Sequence, residues 1–350
     1  MAAGLYQDQA ANRPALRSLP VFLVCAILML MAIAASLFYG SQPVLASEVL
    51  AYVGGQNGNV SEPSASVMSL RAPRTVLGLI CGVALGIAGA LCQAHTRNPL
   101  ADPGLLGVSA GAAAGVVFAI SVLGLGLPSQ YTVFGMAGGL AAGLVVLGLA
   151  SRIRVTNSAT SLILAGTIIT GVLNAISSTV VLIDKVTMDK FRYWTVGSLS
   201  GRDAAVLWDV APWLLLGLLL VVFNAPSLDA LALGEDVASA LGRNVGRDRI
   251  IGLLAVVVLA SAATASMGAI AFLGLAAPHL ARRIGPGGLP SIVALSGMLG
   301  GVIMLLADTA GRLVLPTSEL SVGIMLSILG APLFVVIARS SRMRRAHDSH

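Results

Sequence analysis

The sequence predicts an all-α polytopic membrane protein with about ten transmembrane helices and both termini inside the cell. Three observations predict it. Hydrophobic residues make up 57% of the chain and charged residues 10%, with a mean hydropathy of +0.91, whereas a soluble domain carries about 25% charged residues and needs them to cover its surface. Apolar runs long enough to span a bilayer recur along the whole length, separated by short charged or Pro/Gly breaks. The basic residues are distributed unevenly between alternate breaks, as insertion topology requires.

The runs fall at residues 19–40, 75–92, 106–125, 131–150, 161–183, 204–223, 250–267, 268–281, 289–306 and 322–338. The first has basic residues ahead of it (Arg13, Arg17) but exceeds the usual signal core of about 7–15 residues, so it reads as an uncleaved span. The run 268–281 is too short to cross as a straight helix and reads as a half-span or a crossing of a thinned region. Residues 50–67 read as a polar outer loop. The organisation expected is a cytoplasmic tail (1–18), a transmembrane domain (19–338) with a cytoplasmic coupling loop at 225–249, and a basic cytoplasmic tail (339–350). With the N-terminus inside, fourteen Lys and Arg residues lie inside and seven outside, the latter including Arg71, Arg74 and Arg312. That bias favours an even number of spans.

The net charge of +6 does not point to nucleic acid, because the basic residues form no dense patch and have no interleaved aromatics. Cys25, Cys81 and Cys92 all sit in apolar runs, odd in number and without Cys-x-x-Cys spacing, and read as small core residues. Glycines at every fourth position (Gly107, Gly111, Gly115; Gly135, Gly139, Gly143; Gly297, Gly301) form ridges that let helices approach closely.

Chemistry is sparse. Acidic groups are nearly absent from the span centres. Asp308 lies near the outer end of its run, four residues before Arg312 and able to pair with it, and Asp209 lies early in its own. This weakens an ion-coupled secondary transporter. There is no Gly-rich Lys-Ser/Thr phosphate loop and no catalytic motif. A non-catalytic chain driven from outside the membrane is the expectation, with no cofactor or metal of its own. The segment most unlike its surroundings is 228–242, on the inner side. Gly234 and Gly242 bracket a short helix with Leu233, Val237 and Leu241 on one face and Glu235 and Asp236 in its first turn. Its apolar stripe packs either on the chain's own helix ends or in a groove of a soluble partner.

From Arg71 to Phe334 the residues resemble the FecCD-type permeases of ferric-siderophore, haem and cobalamin ABC importers (type II importers). The motifs are Arg71-Ala72-Pro73-Arg74, Gly89-Ala90-Leu91-Cys92-Gln93, the run from Arg97-Asn98-Pro99 to Gly107-Val108-Ser109, Leu164-Ala165-Gly166, Trp194-Thr195-Val196-Gly197-Ser198-Leu199, the Leu231–Gly242 stretch, Gly268-Ala269-Ile270-Ala271-Phe272-Leu273-Gly274-Leu275 with Pro278-His279, Asp308 with Arg312, and Glu319 to Pro332. The resemblance implies a ten-span subunit dimerising, as a homodimer or with a related chain, around a central path. It also implies ATPase subunits below, which bind the ATP and Mg, and an extracytoplasmic substrate-binding protein above. It carries ATPase coupling onto Leu233, Gly234, Glu235, Ala238, Leu241 and Gly242, and binding-protein docking onto Arg71, Arg74 and Arg312, whose plainer reading is snorkelling at the interface. An inner gate maps to Ser158, Ala159, Thr160 and Ser161, with Gln93 as a further pathway residue. The expected function is an iron-siderophore importer permease of a bacterial plasma membrane. Haem or cobalamin cargo, or an ion-coupled secondary transporter, are the alternatives. Two departures stand out: Ala72 replaces the usual Leu, and Ser321 replaces the usual Pro at the start of the last span, removing a fixed φ there.

Overall fold

The computed structural model describes residues 18–56, 58, 60–153, 158–232, 235–240, 242–285, 288–315, 318–332 and 335. Among these the regular structure is helical: α1 (Ser18–Phe38), α2 (Ala46–Val53), α3 (Glu62–Thr96), a 3-10 turn (Pro103–Leu106), α4 (Val108–Ser121), α5 (Pro128–Arg152), α6 (Ser158–Ile183), α7 (Lys185–Thr195), α8 (Ala204–Ala232), α9 (Glu235–Ala240), α10 (Val245–Met267), α11 (Leu273–Ile284), α12 (Leu289–Val314) and α13 (Val322–Pro332). Seven of them (α1, α3, α5, α6, α8, α10 and α12) are long and apolar enough to cross a bilayer. The shorter α4, α11 and α13 occupy the other positions where spans were expected.

α3 and α10 form the centre, with most of their apolar windows buried, and α12, α5, α8 and α11 pack around them. The closest helix approaches use small residues, because backbone contact needs the absence of a side chain. A Cβ on Gly86 would lie 2.1 Å from the Ser296 carbonyl oxygen, and one on Gly89 2.0 Å from that of Gly274. The expected glycine ridges meet different partners. Gly111 of α4 abuts Gly138 of α5, while Gly139 and Gly143 face Ser261 and Val257 of α10. Gly107 is not in a helix ridge at all. It caps the 3-10 turn at φ +74°, a conformation that suits glycine.

Several boundaries differ from the expectation. α3 begins at Glu62, so the supposed loop 50–67 holds the end of α2 and the start of a 35-residue helix. Glu48 organises this hairpin: it accepts from the Ser61 N–H (3.0 Å) and the Ser64 hydroxyl (2.7 Å). Hydrogen bonds from Ser61 and then Ser64 bring its carboxyl down to about 2. α7 was not foreseen. Asp184 caps it by accepting from Val186 N (3.1 Å) and Thr187 N (3.3 Å), and Trp194 buries its ring beside Phe191. α8 runs unbroken past 223 to Ala232, through Pro212 and Pro226. α11 starts only at Leu273, because Gly268 (φ +90°) and Phe272 (φ +66°) hold the preceding residues out of helix. α13 starts normally without the family proline: the Ser321 carbonyl accepts from Ile324 N (3.0 Å) and Met325 N (3.2 Å).

Candidate functional site

Three polar features stand out against the apolar bundle. The first lies at the end of the molecule that the arginine distribution places outside. Arg71 and Arg74 stand three residues apart around Ala72-Pro73, on one face of α3. Arg74 donates through Nε (3.0 Å) and Nη2 (2.7 Å) to the Asp308 carboxylate of α12, and through Nη1 to Glu319 Oε2 (2.7 Å). Arg312 reaches the same Asp308 at 3.2 Å, the (i, i+4) pair expected from sequence, and donates to Ser36 Oγ of α1 at 2.8 Å. Arg71 donates to the carbonyls of Leu37 and Gln42, both at 2.8 Å. There the close approach of Gly40 leaves room for its guanidinium. The cluster therefore ties α1, α3, α12 and the segment before α13 together. Burial alone would raise the Glu319 carboxyl, but the hydrogen bond and charge of Arg74, with Ser41, bring it below its ordinary value. The structure thus gathers the three arginines expected as docking residues, but turns them inward: Arg71 and Arg312 are 5% and 3% exposed.

The second feature is a stripe on α6 that the sequence reading passed over. α6 is the least buried of the seven long helices. Thr160, Thr167, Gly171, Asn174 and Ser178 are all exposed and spaced by seven, four, three and four residues, which places them on one face. Thr167 satisfies its hydroxyl on the Ile163 carbonyl at 2.8 Å. The Asn174 amide makes no hydrogen bond among the described residues, and an amide left bare in hydrocarbon is costly. Such a face belongs against water or a polar partner. The signal was present in the sequence as polar and small residues at heptad spacing inside an apolar run. Of the expected gate residues, Thr160 begins this stripe, while Ser161 is buried and donates to the Ile153 carbonyl at 3.3 Å. Ser158 and Ala159 open α6, but their side chains lie outside the described ones.

The third feature is at the inner end. Gln93, expected on the pathway, is instead fully buried. It donates to the Gly274 carbonyl (3.2 Å) and accepts from Arg282, so it fastens α3 to α11. It is held there because Gly89 and Gly274 bring the two backbones too close for a channel between them. Of the expected coupling residues, Glu235 and Ala238 lie in α9, and Gly242 follows it at φ +79°. Leu233, Gly234 and Leu241 lie outside the described residues. Val237 is 45% exposed on α9.

The model of the FecCD transport family matches residues 27–340. The chain is 37% identical over 313 residues to the ferric enterobactin transport system permease protein FepD of Escherichia coli K12, covering 89% of this chain and 93% of that protein. It is 36% identical over 284 residues to the iron(3+)-hydroxamate import system permease protein FhuG of Bacillus subtilis, covering 77% and 82%. Among solved structures, a metal-chelate type ABC transporter in an inward-facing conformation aligns with a TM-score of 0.77 at 24% identity, over 91% of this chain and 98% of that one. With its multi-span helical fold and the family motifs running from Arg71 to Pro332, the chain belongs to the FecCD transport family.

Proposed function

We propose that the chain is the transmembrane permease subunit of a binding-protein-dependent ABC importer of a bacterial inner membrane, with an iron–siderophore chelate as cargo. The observation that carries the reading is the polar α6 stripe, exposed in the single chain of a family whose relatives are named as ferric-chelate permeases. A stripe of Thr, Gly, Asn and Ser suits a path shared with a second permease chain. Small hydroxyl and amide groups pass a bulky polar chelate without binding it tightly, and Thr160 begins the stripe at its inner end.

The chain supplies no bond-making chemistry in this reading. ATP and Mg belong to partner ATPase subunits, which grip the inner segment around Glu235, Ala238 and Gly242. An extracytoplasmic binding protein docks above. Arg71, Arg74 and Arg312 face two carboxylates among the described residues, Asp308 and Glu319, so the cluster keeps one positive charge in excess at the outer rim. That excess draws an acidic lobe toward the rim.

The test is affinity purification of the tagged chain from gently solubilised native membranes, with its companions identified by mass spectrometry. The expected result is an ABC ATPase that is recovered with the parent chain and lost with Glu235→Arg. Recovery of the chain alone, together with uptake that survives ATP depletion, refutes the proposal.

A further inference from the structure

The inner ends of three helices meet in a buried polar junction that neither the path nor the docking cluster uses. His95 closes α3, Asn224 and Ser227 lie in the last turns of α8, and Asp248 and Gly252 lie in the first turns of α10. The set of partners orients the Asn224 amide. Its oxygen accepts from His95 Nε2 and from the Gly252 N–H, and its nitrogen donates to Ser227 Oγ and to the Asp248 carbonyl, all at 3.2 Å. Arg243 then donates to Asp248 Oδ2 at 3.0 Å and to the Ser227 hydroxyl. Gly252 is what permits the meeting: a Cβ there would lie 1.8 Å from His95 Nε2. Asn224 and His95 are 1% and 3% exposed, and His95 Nδ1 has no hydrogen-bond partner among the described residues.

The position of this junction is its most informative property. Arg243 directly follows Gly242 and α9, the segment proposed to meet the ATPase. His95 lies at the inner end of α3, and the charge cluster of Arg71 and Arg74 lies on the same helix about 32–36 Å away at 1.5 Å per residue. On its way α3 is fastened to α11 through Gln93 and Gly89. One continuous helix is therefore linked near its inner end, through Asn224 and its partners Ser227 and Asp248, to Arg243 of the loop, and is ion-paired through Arg74 to α12 and the segment before α13.

We infer that the His95–Asn224–Asp248–Arg243 junction is the joint through which movement of the 233–244 loop is passed to α3, and so to the outer face. These are positioning residues; none touches nucleotide or cargo. Apolar packing alone would hold the helix ends together but would let the loop slide. Directed hydrogen bonds from Arg243 fix its register against α8 and α10, whose Asn224 in turn holds His95 of α3. Spatial intermediacy alone does not establish coupling, so the test must read the coupling itself.

The inference rests on the importer reading. Its test uses the chain–ATPase complex in proteoliposomes, with Ser178→Cys on the α6 stripe as reporter. Cys25, Cys81 and Cys92 are buried, at 1%, 0% and 1% exposure, and stay silent. The rate of labelling by a membrane-impermeant maleimide is measured with and without ATP and vanadate. The expected result is a several-fold change in the reporter chain. That change is abolished by Asn224→Leu and by Arg243→Gln and kept by Arg243→Lys, while ATPase content and ATP hydrolysis persist. A purely structural role would lower the yield of complex without separating hydrolysis from the labelling response. If the nucleotide response survives in assembled Asn224→Leu and Arg243→Gln complexes, the inference is overturned. If both variants lose the ATPase entirely, the junction shapes the docking loop and does not transmit motion, and the inference is equally overturned. Absence of any ATPase from the parent complex would instead be a failure of the importer reading.

Discussion

Asp308→Asn is the substitution whose cost the structure fixes best. The Asp308 side chain is 1% exposed, accepts from Arg74 at 2.7 and 3.0 Å and forms an ion pair with Arg312 at 3.2 Å. Among the described residues, neutralising it leaves Arg312, itself 3% exposed, with only the hydroxyls of Ser36 and Thr309 and the Ser36 carbonyl as hydrogen-bond partners. Removing one partner from a buried ion pair costs about 3–5 kcal/mol, because the remaining charge stays desolvated. Glu319→Gln removes a carboxylate whose side chain is 26% exposed and which makes a single 2.7 Å pair with Arg74. After solvent screening, that loss is worth roughly 1 kcal/mol. The assay is thermal unfolding in nanodiscs, read with a maleimide dye that fluoresces on reaching a thiol. The buried Cys25, Cys81 and Cys92 are built-in reporters. Asp308→Asn is expected to lower the midpoint well below that of Glu319→Gln. Equal midpoints, or a silent Asp308→Asn, refute the buried-cluster reasoning. The triple variant Arg74→Met/Asp308→Leu/Arg312→Met sharpens the result, because replacing a whole buried ionic cluster by apolar groups is often neutral or stabilising. Recovered stability in the triple variant, with binding-protein affinity lost, would place the cluster's purpose in docking and not in folding.

Two further outcomes follow from close contacts. Gly89→Ala places a methyl group 2.0 Å from the Gly274 carbonyl oxygen, so α3 and α11 must separate. The expected result is a loss of folded yield by size-exclusion chromatography that Ala84→Gly, on the same helix, does not share; normal yield for Gly89→Ala contradicts the packing. Glu48→Gln leaves one acceptor oxygen, and puts an NH2 donor in place of the other, where Ser61 and Ser64 use two, and should speed hydrogen–deuterium exchange in peptides covering 45–64 and nowhere else. Because the folded carboxyl is lowered from 4.5 to about 2, the stabilisation is full above the ordinary value and disappears as pH falls through about 2. The parent hairpin should therefore stay protected at pH 4, and opening there would contradict the capping role.

The sequence by itself determined that this is a many-span helical membrane protein, and its motifs pointed to the family. Both follow from information carried locally: hydropathy over a span length, arginine bias between spans, and ordered motif strings. The Asp308–Arg312 pair was equally legible, because two residues four apart on a helix are neighbours whatever surrounds them. The tertiary structure decided what those residues meet. Arg74 finds Asp308 across 234 positions of chain, and His95 finds Asn224 across 129, separations that no local spacing encodes. It likewise decided that Gln93 is a fastener between α3 and α11, because only the packed bundle shows which glycines bring two backbones into contact. The α6 stripe lies between these cases. Its residues share a face by helical geometry alone, but a polar face becomes a path only when the fold leaves it uncovered, and that depends on which neighbours pack against the rest of the helix.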